Sequence, residues 1–187
     1  MCNVRETSDS NGDDAIWLKP VGVVRSEIKR PVLTAKCGDL HSHSDINHHR
    51  EDRESVSELV IDESLADSGI LDGIEGYSHL VVLYWPHLGS PEGRSLTRGH
   101  PMGRKDFPLV GIFATCSPAR PNPVLMTAVQ LIEKRGNVLR VTGLDAVNGS
   151  PIIDIKPYVP VYHKVKDLHM PEWMLRIHRE FNDDEVT

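Results

Sequence analysis

The chain has 187 residues, 39% of them hydrophobic, and a formal net charge of -6, enough for one domain with its own core. The acidic balance excludes a protein that holds nucleic acid by overall charge and leaves only a local basic surface for that task. Cys2, Cys37 and Cys116 are odd in number and lack CxxC or zinc spacing, the N-terminus MCNVRETSDSNGDD lacks the apolar core of a signal peptide, and no apolar run is long enough to span a bilayer, so a soluble cytoplasmic protein with reduced thiols is expected.

Residues 1–15 are polar and are expected to form a disordered tail. Residues 16–28 alternate apolar and polar side chains and predict a strand. Residues 29–55 hold few apolar side chains and many turn formers, the pattern of a long loop. The stretch SELVIDES predicts a strand, and SLADSGILDGIEGYSHL a short helical segment followed by glycine turns. SHLVVLYWPH is β-branched and aromatic, the composition of a buried strand.

Residues 88–108 predict a second long loop, carrying Arg94, Arg98, Arg104 and Lys105. LVGIFAT predicts a strand; residues 124–147 predict two more, joined in a hairpin at KRGN. PIIDIKPYVP is a further short strand, and MPEWMLRIHREF a helix with Pro171 at its start. Many short strands at close spacing predict a mainly β fold, a small closed β-barrel with long loops and a short C-terminal helix. The expected division is a barrel domain over 16–165 and a helix with tail over 166–187.

The stretch ATCSPARPNPVLMTAVQ places Pro118, Pro121 and Pro123 within six residues around Arg120 and Asn122. Each proline fixes its own φ and holds its predecessor extended, so Ser117, Arg120 and Asn122 are presented from a stiff backbone. Such a corner is either a rigid turn with a structural arginine or a preorganised site for a polar ligand.

Four blocks in order, PVGVVRSEI, LDGIEGYSHLVVLYWPH, GIFATCSPARPNPVLMTAVQL and LDAVNGSPIIDIKPYVP, resemble the TsaA-like family of S-adenosylmethionine-dependent tRNA methyltransferases. Ser117, Pro118, Arg120, Pro121 and Asn122 match the family's proline block, and Asp154, Ile155, Lys156, Pro157 and Tyr158 match its closing block. Cys116 stands where an arginine is usual, and Ala119 where a histidine is usual. The larger bacterial members carry an additional C-terminal domain, for which the segment after Pro160 is too short.

The resemblance implies a small β-barrel methyltransferase and a homodimer with S-adenosylmethionine bound near the subunit interface. The acceptor it implies is N6 of threonylcarbamoyladenosine beside the anticodon of tRNA. On this reading Phe113, Ala114, Thr115, Ser117, Pro118, Arg120, Pro121, Leu144, Asp145, Asp154, Lys156 and Tyr158 hold the cofactor. Arg120 suits its carboxylate, while Asp145 or Asp154 suits the ribose hydroxyls or ammonium. Arg120, Asn122 and Asp154 are the catalytic candidates, with Asn122 or Asp154 receiving the acceptor proton. Arg94, Arg98, Arg104 and Lys105 are the candidates for tracking a phosphate backbone.

Three other features carry chemistry by residue type. His41, His43, His48 and His49 surround Asp45; a solvated polar loop is the expectation there, ahead of a metal site. Cys116 raises the alternative of a thiolate nucleophile. His79 and His87 flank a predicted buried strand, where core or interface roles are expected ahead of catalysis.

Overall fold

The computed structural model describes residues 16–43 and 55–182. Its centre is a closed barrel of antiparallel strands in the order β1-β10-β5-β8-β9-β4. These are β1 (Gly22–Arg25), β4 (Val56–Ile61), β5 (His79–Tyr84), β8 (Leu125–Arg135), β9 (Val138–Thr142) and β10 (Pro151–Pro157). The two-residue period of each strand turns alternate side chains inward. Val24, Leu59, Ile61, Leu80, Val82, Tyr84, Val129, Leu139, Val141 and Ile152 fill the interior, with Leu71, Leu144 and Ala146 from the connections.

Closure depends on one glycine. Gly22 pairs with Ile61 of β4 on one side and Ile152 of β10 on the other. A Cβ at this position would lie 2.3 Å from the Val60 carbonyl oxygen, so a larger residue would push β1 off β4. Register shifts between Leu131 and Glu133 in β8, and between Ile152 and Asp154 in β10, add the curvature that a small barrel needs.

The first expected loop is partly ordered. Residues Leu33–Lys36 (β2) and Asp39–Ser42 (β3) form a hairpin. Its turn residues have φ of 53° at Cys37 and 73° at Gly38, the positive pair of a tight primed turn. His48, His49 and Asp45 lie outside the described residues; His41 and His43 are exposed at the end of β3, where His43 Nε2 lies 2.7 Å from Thr34 Oγ1.

The hairpin packs on the rest of the excursions. Ala35 and Leu40 form a second apolar cluster with Leu96, Ile112 and Ala119. Ala119 belongs to the proline corner, so the hairpin is its packing partner. Asp39 fastens the same junction. Its Oδ1 accepts from the backbone N–H groups of Leu40 and His100, both at 2.8 Å, and its Oδ2 contacts His100 Nδ1 at 2.7 Å and the Lys105 ammonium. Burial pushes the Asp39 carboxyl up, but these hydrogen bonds outweigh it and hold the group well below the usual carboxylate range.

LVGIFAT is not a continuous strand. Only Val110–Gly111 (β7) pairs, with Arg98–Gly99 (β6), and Ile112–Ala114 then turn into a 3-10 helix. The partner strand is two residues long, and Thr115 Oγ1 donates to the Ile112 carbonyl at 2.8 Å to close the turn. Likewise the strand expected over 16–28 is confined to β1.

Short helices lie at Glu63–Ala66 (α1), Pro91–Ser95 (α2) and Pro160–His163 (α3), and a longer one at Glu172–Asn182 (α4). The last is held by charge. Arg176 donates to Asp106 at 2.7 Å and to Glu180 at 3.0 Å, Arg104 binds both carboxylates, and both guanidinium groups lie over the buried Phe107 ring. Among the described residues no helix is long and apolar enough to cross a membrane.

Candidate functional site

Arg120 braces the corner it belongs to. Its Nε donates to the Ser117 carbonyl at 2.7 Å and a terminal nitrogen donates to the Thr115 carbonyl. Thr115 Oγ1 accepts from Ser117 N at 3.2 Å, and Ser117 Oγ accepts from Ala119 N at 3.1 Å. The result is a turn whose polar groups are consumed internally, with Ser117 and Ala119 buried. A guanidinium carries five N–H donors, so this bracing leaves Arg120 able to meet a ligand as well.

That side chain opens onto a cleft of about 450 Å³ at the end of the barrel. The volume falls in the range of small-molecule sites. Cys116, Pro118 and Arg120 form one wall; Asp145, Val147 and Ser150, from the segment between β9 and β10, form another. Ile28 and Val32 approach from the β1–β2 connection and Leu33 from the start of β2, and Pro86, His87 and Leu88 follow β5. Apolar walls with few polar groups are the composition of a site for a partly apolar ligand.

The polar groups are positioned from the barrel. The Tyr84 hydroxyl donates to Asp145 Oδ1 at 2.7 Å, and Thr127 Oγ1 donates to the same oxygen at 3.0 Å. Both bonds fall on Oδ1, which leaves Oδ2 to accept from a ligand hydroxyl or ammonium. Arg30 and Arg120 supply positive charge within the same lining. His87 is exposed as a residue, and partial desolvation of its ring shifts its pKa down, favouring the neutral form.

The structure gathers some of the expected residues and separates others. Pro118, Arg120 and Asp145 line the cleft. Leu144 is wholly inside the barrel core, and Ser117 and Thr115 serve the corner. Ala114, Pro121 and Asn122 are exposed beside the corner, and Phe113 is 80% exposed. Asp154 pairs with Lys156 along β10, and Tyr158 stacks on His163 at 4.8 Å; these three are not part of the cleft lining within one chain. Tyr84, Thr127 and Arg30 were not singled out in the sequence, and His87 was expected only to pack; all four line the cleft. The only available signal was the polar ends of two strands otherwise filled with apolar side chains.

The expected basic cluster is divided. Arg94 and Arg98 are exposed, Arg94 lying 4.8 Å from the centroid of the Trp85 ring. Arg104 is committed to Asp106 and Glu180, and Lys105 to Asp39.

The model of the tRNA-methyltransferase O N-terminal domain matches residues 42–164. A probable S-adenosyl-L-methionine-binding protein of Methanothermobacter thermautotrophicus is 42% identical over 146 residues, which cover 78% of this chain and 92% of that protein. The tRNA (adenine(37)-N6)-methyltransferase of Escherichia coli is 32% identical over 152 residues, 79% of this chain and 59% of that one. The crystal structure of TrmO from Pseudomonas aeruginosa has the same fold, with a TM-score of 0.61 at 23% identity, over 86% of this chain and 62% of that chain.

Proposed function

Since the chain belongs to the tRNA-methyltransferase O N-terminal domain family, we propose that its cleft binds S-adenosylmethionine and that the protein transfers the methyl group to N6 of a threonylcarbamoyl-modified adenosine beside the anticodon of tRNA. One observation carries the reading: all four family-like blocks reach a single cleft, through Ile28, through Tyr84 with Pro86 and His87, through the proline corner, and through the segment around Asp145. The printed activity of the Escherichia coli relative supports the acceptor.

The residues present suit the cofactor. A guanidinium fits its carboxylate, the free oxygen of Asp145 fits ribose hydroxyls or the ammonium, and the Pro86, Leu88, Pro118 and Val147 walls fit the adenine and the sulfonium side chain. When bound, the cofactor supplies an electrophilic methyl group. The protein's part is alignment: a braced corner and a barrel-anchored carboxylate hold the two ends of one ligand. Such alignment is worth effective molarities of roughly 10⁵ M or more in favourable cases.

Asp154, Lys156 and Tyr158 complete the site, on this reading, from a second copy of the chain. Tyr158 continues into an exposed apolar segment with Val161, Tyr162, Val165 and Leu168, the kind of surface that a homodimer covers. Asn122 and Asp154 then flank the acceptor. Exposed Arg94 and Arg98 are the stronger candidates for phosphate contact, with Arg104 and Lys105 contributing when their carboxylate partners exchange. That pairing also favours a second reading, a methyltransferase with an acceptor other than tRNA.

Mass spectrometry of tRNA nucleosides, after incubating unmethylated tRNA with the purified protein and S-adenosylmethionine, tests the acceptor. Appearance of the N6-methylated nucleoside supports the first reading. Cofactor binding with no tRNA product favours the second.

A further inference from the structure

We propose that His87 is the proton acceptor of the transfer reaction, taking the N–H proton of the acceptor nitrogen on its Nε2; the inference rests on the methyltransferase reading of the cleft. Sequence pattern alone points to a core or interface role for this ring, but it follows β5 directly into the cleft lining.

Within that lining the titratable and charged groups are Arg30, Tyr84, His87, Cys116, Arg120 and Asp145, and the Tyr84 hydroxyl already donates to Asp145. A guanidinium offers N–H donors and no acceptor, so the two arginines do not take a proton. Asp145 already accepts from Tyr84 and Thr127 on Oδ1, and its second oxygen is given to the cofactor on the proposed reading. Cys116 is exposed and has no assigned activating partner. His87 has the general-base chemistry: the residue is exposed to the cleft, and partial desolvation of its ring favours the neutral form.

The ring is also oriented. Its Nδ1 lies 3.4 Å from Ser150 Oγ, a hydroxyl buried in the barrel end. With Nδ1–H donating to that oxygen, the lone pair of Nε2 is left for a substrate proton. Gly149 keeps that edge clear: a Cβ there would stand 3.6 Å from Nε2, and its φ of +85° disfavours any larger residue.

The balance is simple. As the acceptor nitrogen forms its bond to the methyl carbon, the sulfur–methyl bond breaks and its electron pair stays on sulfur, giving a neutral thioether. The nitrogen's proton passes to Nε2, and the imidazolium returns it to water. A conjugated adenine or urea-type N–H is a poor nucleophile because its lone pair is delocalised, so removing the proton in the transition state is where a base helps most. General-base contributions are typically 10²–10⁴-fold.

The test uses the full chain, S-adenosylmethionine and tRNA that carries the threonylcarbamoyl-modified adenosine without its N6-methyl group. His87→Ala is expected to lower the methylation rate by about 10²-fold or more, with melting temperature and cofactor affinity near the wild-type values. Added imidazole is expected to restore part of the lost rate. The wild-type rate should fall on the acid side as the ring protonates, below the ordinary histidine value of about 6.5, and the variant should lack that limb. Ser150→Ala, a positioning change, should lower the rate less and shift the limb. If wild type is active and His87→Ala keeps its rate and its acid limb, the proposal is overturned while the methyltransferase reading stands. A rate loss that imidazole does not relieve, with cofactor affinity lost in parallel, also overturns it and assigns His87 to binding. If wild type neither binds the cofactor nor methylates, the underlying reading fails first.

Discussion

The Tyr84 hydroxyl reaches Asp145 Oδ1 at 2.7 Å, joining the end of β5 to a segment 61 positions later in the chain. This bond places the carboxylate at the mouth of the barrel, opposite the arginine of the proline corner. Tyr84→Phe removes one donor and keeps the ring in the core. A hydrogen bond to a charged group is worth about 1.5–3 kcal/mol, so cofactor affinity should fall roughly tenfold, as read by calorimetry. Asp145→Ala should cost more, because it removes the ligand-facing oxygen as well.

Arg120 answers to two demands. Arg120→Ala takes away the brace on the Thr115 and Ser117 carbonyls, so the melting temperature should drop. On the proposed reading it also takes away a charged partner of the cofactor, so affinity should drop in the protein that remains folded. Arg120→Lys should lose most of the bracing, since an ammonium cannot reproduce the fork, while retaining part of the affinity. A destabilised Arg120→Ala protein with unchanged affinity would reduce the residue to a structural role.

Asp39 should reveal itself in acid. Its folded-state pKa is depressed by its hydrogen bonds, so the ionised carboxylate contributes stability above the unfolded value of about 3.9 and loses it as pH falls through the folded value. The stability difference between wild type and Asp39→Asn should be constant near neutrality and shrink below about pH 4. Thermal melts across that range decide the matter; a difference that persists in acid would point to packing instead.

The C-terminal helix α4 should be salt-sensitive. It is fastened through Arg104, Asp106, Arg176 and Glu180, and exposed pairs of this kind are weak singly and screened by salt. Hydrogen exchange across residues 172–182 should quicken at about 1 M salt, and more so in Arg104→Ala. Exchange indifferent to both changes would shift the anchoring to the apolar face of the helix.

The barrel was legible because its strands obey their period: Leu80, Val82 and Tyr84 alternate inward, as do Leu59 with Ile61 and Leu139 with Val141. The β2–β3 hairpin was not. It offers only Leu33, Ala35 and Leu40 as inward side chains, and its turn is Cys-Gly in place of the familiar Asn-Gly. One consequence is practical: deleting residues 38–50 as a dispensable histidine loop would remove β3 and Asp39 with it. In the cleft, Pro118, Arg120 and Asp145 were legible through their sequence blocks. Tyr84, Thr127 and His87 were not, because their roles follow from which strand ends the closed barrel brings together.

Two copies should share each site. Arg120→Ala and Asp154→Ala proteins, each inactive alone, should regain methylation when mixed and allowed to exchange subunits. Light scattering should report a dimer for both. Monomers, or dimers that never complement, would confine the site to one chain and leave Asp154 in its ion pair with Lys156.

The most direct measurement is a calorimetric titration of S-adenosylmethionine into the wild-type protein and into Asp145→Ala, with melting curves on the same preparations. If the cleft between the proline corner and Asp145 is the cofactor site, wild type binds one molecule per chain and the variant binds far more weakly at a similar melting temperature. Absence of binding to the wild type, or undiminished binding to a folded Asp145→Ala protein, would contradict it.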